Sequence, residues 1–596
     1  MKKTKVNKMI AMGCLLAGVS LTSCEDWLTI YPNSQIVEEN FWEDKNDLMS
    51  VRYAVYRNVT SCLDNYFVWG EIRADYYQTN PNKFDQAVTN LTKADLQATD
   101  GYTKWETFYN TINFCNKVLE HGEDIMAKDA SFTTSDWLPI QAEMYAVRAL
   151  TYFYLIRAFG DVPYVTQSIN DDTQATTHPA VSQMEILNRS INDMESTVQN
   201  SVNNYGNWTD NKAFMTRNAI YSLLADMYLW RAALKQGQGN TAEALADYAK
   251  CNDYCQLVID KVKEQTEEYN KDYNVIIIGG GTGTSGGSTE DDAYPFLIQT
   301  PIRSMSSSIT SVGAFNRIFG SGNSTESIFE LQCDGNSNKN TISGTYLYGV
   351  EARLQAAPKL KDVASKLDDA TVSGSNIFYK TDLRKLETTD CSTTNTNLYY
   401  IWKYACSSIN HSEDDIKDNT NKTKLSFSVS GSASRNWIVY RVTDVMLMKA
   451  EALTQMGEEH IGEAFALVEA IYKRSNPYPY STTNTTDRLA SGNFASKDNM
   501  EKLILHERQR EFVAEGKRWF DLVRFALRRA TPEQATPTAF LDELCRNMDA
   551  TNANILRKKL VSMKSLYLPI NETELKANPQ LVQNPVWNKN QDISKN

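Results

Sequence analysis

Two carboxylates at close spacing can serve as acid and base in cleaving a glycosidic bond, and residues 506–521 supply a candidate set. The segment reads His506-Glu507-Arg508-Gln509-Arg510-Glu511 and continues through Glu515, Arg518 and Asp521. Taken as chemistry, Glu507 and Glu511 would make the chain a surface-tethered glycoside hydrolase. The same residues alternate in sign at helical spacing, with Phe512, Trp519 and Phe520 among them. Ion pairs that lock one helix to its neighbours account for this pattern more simply, because structural charge networks mimic active sites. A second candidate is the run Gly281, Gly283 and Gly286 behind the apolar residues 275–278. It matches a dinucleotide-binding glycine pattern, but a flexible acidic stretch follows where that motif must open a helix. The five histidines, His121, His178, His411, His460 and His506, show no zinc spacing and no nucleophile triad. Asp414, Asp415, Asp418 and Asn419 could ligate calcium on a loop, but a solvated acidic turn is the better account. No cofactor and no metal is expected.

The clearest chemical address is at the front. Lys2, Lys3, Lys5 and Lys8 precede an apolar run over 9–21, which ends in Leu21-Thr22-Ser23-Cys24. This pattern predicts a signal peptide over 1–23 and a mature chain that begins at lipidated Cys24. The run is short for a membrane span, so the protein is expected to be anchored to a membrane without crossing it. Losing the four lysines takes the net charge from -12 to -16. An acidic chain without a basic stretch after its leader is excluded as a nucleic-acid binder. Of the ten cysteines, Cys14 leaves with the leader and Cys24 takes lipid, while the others are scattered without a Cys-x-x-Cys pair. Most read as small core residues, and Cys333 with Cys391 or Cys406 is where a bridge is expected if one forms.

The elements around these residues are mainly helical. Over 140–159, Ala142, Ala146, Ala149, Phe153 and Ile156 form one stripe and Met144, Val147, Leu150 and Tyr154 another. That is a helix buried on two sides, stopped at Gly160. A helical hairpin runs from Arg217 to Trp230, turns at 236–239 and returns through Leu245, Tyr248, Cys255 and Ile259. Another covers 442–455, turns near Gly457 and returns through Ile461, Ala464, Leu467, Val468 and Ile471. A final helix is expected over 500–528. Hairpins of this kind look like divergent tetratricopeptide-type units. Between them, 270–430 is rich in Gly, Ser, Thr, Asn and Asp, with short β-prone runs at 327–332 and 398–404. Long irregular stretches of this sort commonly carry binding surfaces.

Several blocks in order resemble the SusD/RagB family of surface nutrient-binding lipoproteins. They are the lipobox, 40–56, Trp69-Gly70-Glu71 with Asp75, 105–116, AEMYAVRALTYFYLIRAFGDVP before 164, 217–230, 324–331, RVTDVMLMKAEALTQMG, ERQREFVAEGKRWFDLVR and LYLPINETELKANPQLVQNP. The resemblance spans essentially the whole chain. It implies one SusD-like domain over 24–596, with a helical scaffold about 38–265 and 437–530, an irregular ligand-binding region about 270–430 and an irregular C-terminal segment 531–596. It also implies a non-enzymatic role at the outer membrane. The protein would bind oligosaccharide or polysaccharide at the cell surface and deliver it to a SusC-like TonB-dependent transporter, with an oligopeptide ligand as the variant reading.

A sugar site needs aromatic faces and hydrogen-bonding side chains on a rigid platform. Two segments offer them. One is Arg73, Asp75, Tyr76, Tyr77, Asn80 and Phe84, a place that contributes ligand contacts in relatives; the other is Tyr294, Phe296, Arg303, Phe315, Arg317, Tyr346 and Tyr348. Anchor and site are then separate parts of the molecule. Replacing Cys24 with alanine is expected to abolish surface retention while leaving ligand affinity in solution unchanged, as fractionation and titration would show. A fall in affinity would contradict that separation.

Overall fold

The computed structural model describes residues 41–170, 174, 177–272, 293–299, 314–349, 351–361, 363–364, 377–379, 381–391, 399–405, 432–477, 480 and 488–588. The lipobox at Cys24, the glycine-rich run 275–287, Arg303 and the acidic residues 414–419 lie outside them. No helix among the described residues is long and apolar enough to cross a membrane.

The fold is mainly α. Its principal helices are α1 (Lys45–Ser61), α2 (Glu106–Lys128), α3 (Thr134–Phe159), α4 (Gln183–Thr197), α5 (Arg217–Gly237), α6 (Thr241–Asp272), α7 (Val442–Met456), α8 (Ile461–Ser475), α9 (Lys497–Glu511) and α10 (Arg518–Leu527). Helices adjacent in sequence pack as antiparallel hairpins, and α7 closes against α6 across the intervening irregular region. Local signals start and stop them. Asp44 and Asp47 form a capping box on α1, Thr133 and Asp136 form one on α3, and Gly160 ends α3 at φ 81. From Ala146 to Phe159 every residue of α3 is buried, so the two apolar stripes read from sequence face core on both sides. On α6 the sequence-based stripe is offset at its start. Leu245 is 40% exposed and Ala244 takes the buried position, while Tyr248, Cys255 and Ile259 face the core as expected.

Short strands stitch the irregular region to this scaffold. They are β1 (Tyr77–Thr79), β2 (Ser327–Leu331), β3 (Leu354–Ala356), β4 (Thr389–Cys391), β5 (Tyr399–Ile401) and β6 (Trp437–Arg441). β2 pairs antiparallel with β6, β1 with β3, and β4 with β5. Cys333 is a free buried thiol against the Leu331 carbonyl at 3.8 Å, and its two expected bridge partners, the Cys391 side chain and Cys406, lie outside the described residues. The C-terminal segment is more regular than the resemblance implied. It contains helices Thr538–Cys545, Ala550–Lys559 and Glu572–Ala577.

The helix expected over 500–528 is two helices. Between α9 and α10 the chain turns through Ala514 at φ 65 and Gly516 at φ 70. The break has a steric purpose. A Cβ on Gly70 would sit 1.7 Å from the Gly516 carbonyl oxygen, and one on Gly516 would sit 2.7 Å from the Tyr66 carbonyl oxygen. Only glycine on both sides permits this backbone approach. It brings the buried Glu71 carboxylate to the turn, where it accepts from the Ala514 N–H at 2.7 Å, the Lys517 N–H at 3.1 Å and the Tyr77 hydroxyl at 3.0 Å.

Burial pushes the Glu71 carboxyl up to about 8, against the pull of those donors toward the ionised form. An acid raised in the folded state contributes stability that is complete below its unfolded value and is lost as pH rises through its folded value. For Glu71 the window runs from 4.5 to about 8. The melting temperature of wild type relative to Glu71→Gln, which cannot ionise, is therefore expected to fall across that window. A constant difference would show that Glu71 is ionised throughout.

Candidate functional site

The first set of sequence candidates lies mostly in the core. Arg73 donates from Nη1 to the Leu566 carbonyl at 2.6 Å and from Nη2 to the Ser565 carbonyl at 2.8 Å, with its guanidinium 4.0 Å over Trp519. The Asp75 carboxylate accepts from Arg518 at 3.0 Å, Gln509 at 2.6 Å and Asn547 at 3.0 Å. Tyr76 donates to the Gln509 carbonyl at 2.6 Å, Tyr77 donates to Glu71, and Asn80 donates to the Ala352 carbonyl at 2.7 Å. All five are buried. The expectation that they contact ligand is corrected, because their polar atoms are used to fasten the chain leading into β1. Phe84 alone of this set is open, at 73% exposure.

In the second set, Phe296, Phe315 and Tyr346 are also buried and are withdrawn as stacking residues. Phe315 lies 4.4 Å from the Lys403 ammonium, and its N–H donates to Glu387 at 2.5 Å. Tyr346 packs on Phe67 at 5.3 Å. Arg317 is exposed, while Tyr294 and Tyr348 are half-buried. Residue type identified rings and cations here, but which way each points depends on contacts distant in sequence.

Of these residues, Phe84 and Tyr348 lie around the β1–β3 ribbon, while Tyr294 packs on Phe296 at 5.9 Å and Arg317 stands on the short helix Asn316–Gly320. β1 and β3 align Tyr77 with Ala356 and Thr79 with Leu354, and the ladder extends through the Asn80 N–H to the Arg353 carbonyl at 2.9 Å. This ribbon sets 80–85 beside 351–353. Lys83 pairs with Glu351, and Asp85 pairs with Arg353 at 3.2 Å. Arg353 also donates to the Tyr102 hydroxyl at 2.9 Å and lies 5.5 Å over the Tyr346 ring. Tyr102 and Tyr346 share a hydroxyl contact at 3.2 Å. β5 lies against β3, and Tyr400 stands 5.6 Å from Tyr348 at a 55° tilt. The result is a shelf carrying Phe84, Tyr102, Tyr348, Tyr400 and Arg353. Sequence reasoning missed Asp85, Tyr102, Arg353 and Tyr400, since no local pattern reports a pairing between residues so far apart along the chain.

This shelf can stack apolar faces and exchange hydrogen bonds. It presents no nucleophile with a base, and among the described residues no group of His, Cys, Asp or Glu could hold a metal. The carboxylates that might have served a hydrolase are elsewhere and sealed. Glu507 and Glu511 are fully buried, and both accept from Arg384, at 2.7 and 2.8 Å. Burial raises the Glu511 carboxyl, but Arg474, Arg441 and Arg384 pull it well below the usual carboxylate range.

Two family models match the chain. One, described as the SusD family, matches residues 369–587, and the other, described as starch-binding associating with outer membrane, matches residues 27–229. The chain belongs to the SusD family. Among curated relatives, SusD-like protein P38 of Formosa agariphila is 24% identical over 532 residues, covering 88% of this chain and 92% of that one. SusD-like protein P2 of the same organism is 20% identical, covering 88% and 91%. Among solved structures, NanU of B. fragilis superposes with a TM-score of 0.59 at 18% identity, covering 93% of this chain and 99% of that one. A SusD superfamily protein from Bacteroides vulgatus superposes with a TM-score of 0.60 at 16% identity, covering 92% and 100%. The structural likeness establishes the fold. As a family, SusD proteins bind carbohydrate without catalysis and associate with the outer membrane.

Exposed and buried candidates separate cleanly by experiment. Phe84→Ala is expected to weaken glycan retention in affinity electrophoresis with no change in melting temperature. Tyr76→Ala empties a core site and strands the Gln509 carbonyl, so a loss of roughly 3–5 kcal/mol is expected in denaturant unfolding. A large melting shift in Phe84→Ala would place that ring in the core instead.

Proposed function

We propose that this protein is a cell-surface lipoprotein, anchored at Cys24, that captures an oligosaccharide or polysaccharide and hands it to a SusC-like TonB-dependent transporter. The observation that carries this reading is the aromatic shelf at β1 and β3, on a chain whose residues 27–229 and 369–587 match SusD family models. A half-exposed ring cluster on a rigid ribbon suits sugar faces, and the hydroxyl, amide and charged groups around it suit sugar hydroxyls. Sealing of Glu507 and Glu511 inside ion pairs supports a binding role over hydrolysis. The predicted lipid at Cys24 would hold one end of the platform at the membrane while the body moves over a transporter.

Residues 25–596, purified and screened on a panel of glycans and peptides, are expected to retain an oligosaccharide and release it unchanged. Shorter products would establish the hydrolase instead. Retention of peptides alone would move the protein to the oligopeptide-binding variant. Co-purification of the lipidated chain with a SusC-like transporter tests the partner.

A further inference from the structure

The charge arrangement on the shelf bears on which glycans it admits, given the glycan-binding reading above. A half-exposed guanidinium lying over Tyr346 and donating to Tyr102 is a suitable partner for a uronate carboxylate or a sulfate ester. Here that capacity is already engaged, because Asp85 Oδ2 lies 3.2 Å from Arg353 Nη1. The neighbouring cation Lys83 is paired in the same way with Glu351. Asp85 holds its position independently of Arg353. It is the N-cap of the helix Gln86–Thr92, and its Oδ1 accepts the Val88 N–H at 2.9 Å. An anionic sugar approaching Arg353 would meet the carboxylates of Asp85 and Glu351 on a chain of net charge -12. A neutral sugar meets no such opposition, since hydroxyls can donate to those carboxylates. Discrimination by a placed like charge is a general route to specificity.

We propose that Asp85 restricts the shelf to uncharged oligosaccharides, by neutralising Arg353 and repelling carboxylated or sulfated sugars. Asp85 acts through Arg353 and is a positioning residue in this sense. Asp85→Asn tests it without disturbing the fold, because asparagine caps a helix as well as aspartate does. The probes are the glycan retained best by wild type in the panel and an oligogalacturonide of similar length, titrated calorimetrically. Wild type is expected to prefer the neutral glycan. Asp85→Asn should bind the oligogalacturonide at least about tenfold more tightly than wild type, with a gain that shrinks as salt rises. Its melting temperature should match wild type, and its neutral-glycan affinity should change far less than its oligogalacturonide affinity. Adding Arg353→Gln to Asp85→Asn should erase the gain, which a merely structural role for Asp85 would not produce. A wild-type preference for an anionic glycan, or an unchanged oligogalacturonide affinity in Asp85→Asn, overturns the proposal while leaving glycan binding intact. Retention of no glycan by wild type overturns the glycan reading and this proposal with it.

Discussion

Glu511 is the point on which the irregular region closes against the C-terminal helices. Its buried carboxylate receives Arg384 at 2.8 Å from the irregular region, Arg441 at 2.6 Å from the end of β6, and Arg474 from α8. Three cations around one carboxylate would be untenable alone in a low-dielectric interior. The surrounding charges correct the balance. Glu326 receives Arg441 and Arg474, Glu515 receives Arg441 and Lys403, Asp382 and Glu507 receive Arg384, and Glu507 also receives Arg510. Such a network gives little net stability over an apolar core of the same shape, but losing one member leaves an uncompensated charge at about 3–5 kcal/mol. Its effect is therefore to specify one arrangement of the elements that carry it.

That arrangement reaches the shelf through a short series of contacts. Lys403 and Arg441 bind the carbonyl of Glu511, and Lys403 binds that of Val513, which holds the turn between α9 and α10. The turn receives Gly70 and Glu71 at backbone contact. Just beyond Glu71, Asp75 and Tyr76 fasten to Arg518 and Gln509, and β1 begins at Tyr77. The loop bearing Phe84 and Asp85 thus leaves from a buried, hydrogen-bonded base. Charged and aromatic residues that seemed suited to ligand by type are consumed in building this base, and the exposed shelf is assembled from the residues just past it.

Helical regions were legible in the chain because amphipathic periodicity and caps are local. Ile461, Ala464, Leu467, Val468 and Ile471 are buried on α8 as their spacing demands, and Gly160 and Gly457 end their helices as glycines do. The ion-pair reading of 506–521 was legible for the same reason, since opposite charges at helical spacing imply partners. The break at 512–517 was not. It depends on Gly70 at the other end of the chain, and a window over 500–528 contains no trace of that neighbour.

By itself, then, the sequence determined a helical scaffold with its hairpins and a charged helix made for structure; its ordered motif blocks also determined the family. Tertiary structure decided which rings face solvent and what surrounds them. Tyr76 and Phe84 are both aromatic residues of one short stretch, yet one is sealed and the other is 73% exposed. Helical burial repeats along the chain and can be read from spacing. The shelf exists only because antiparallel pairing of β1 with β3 carries Asp85 to Arg353, and no local period encodes a contact across that separation.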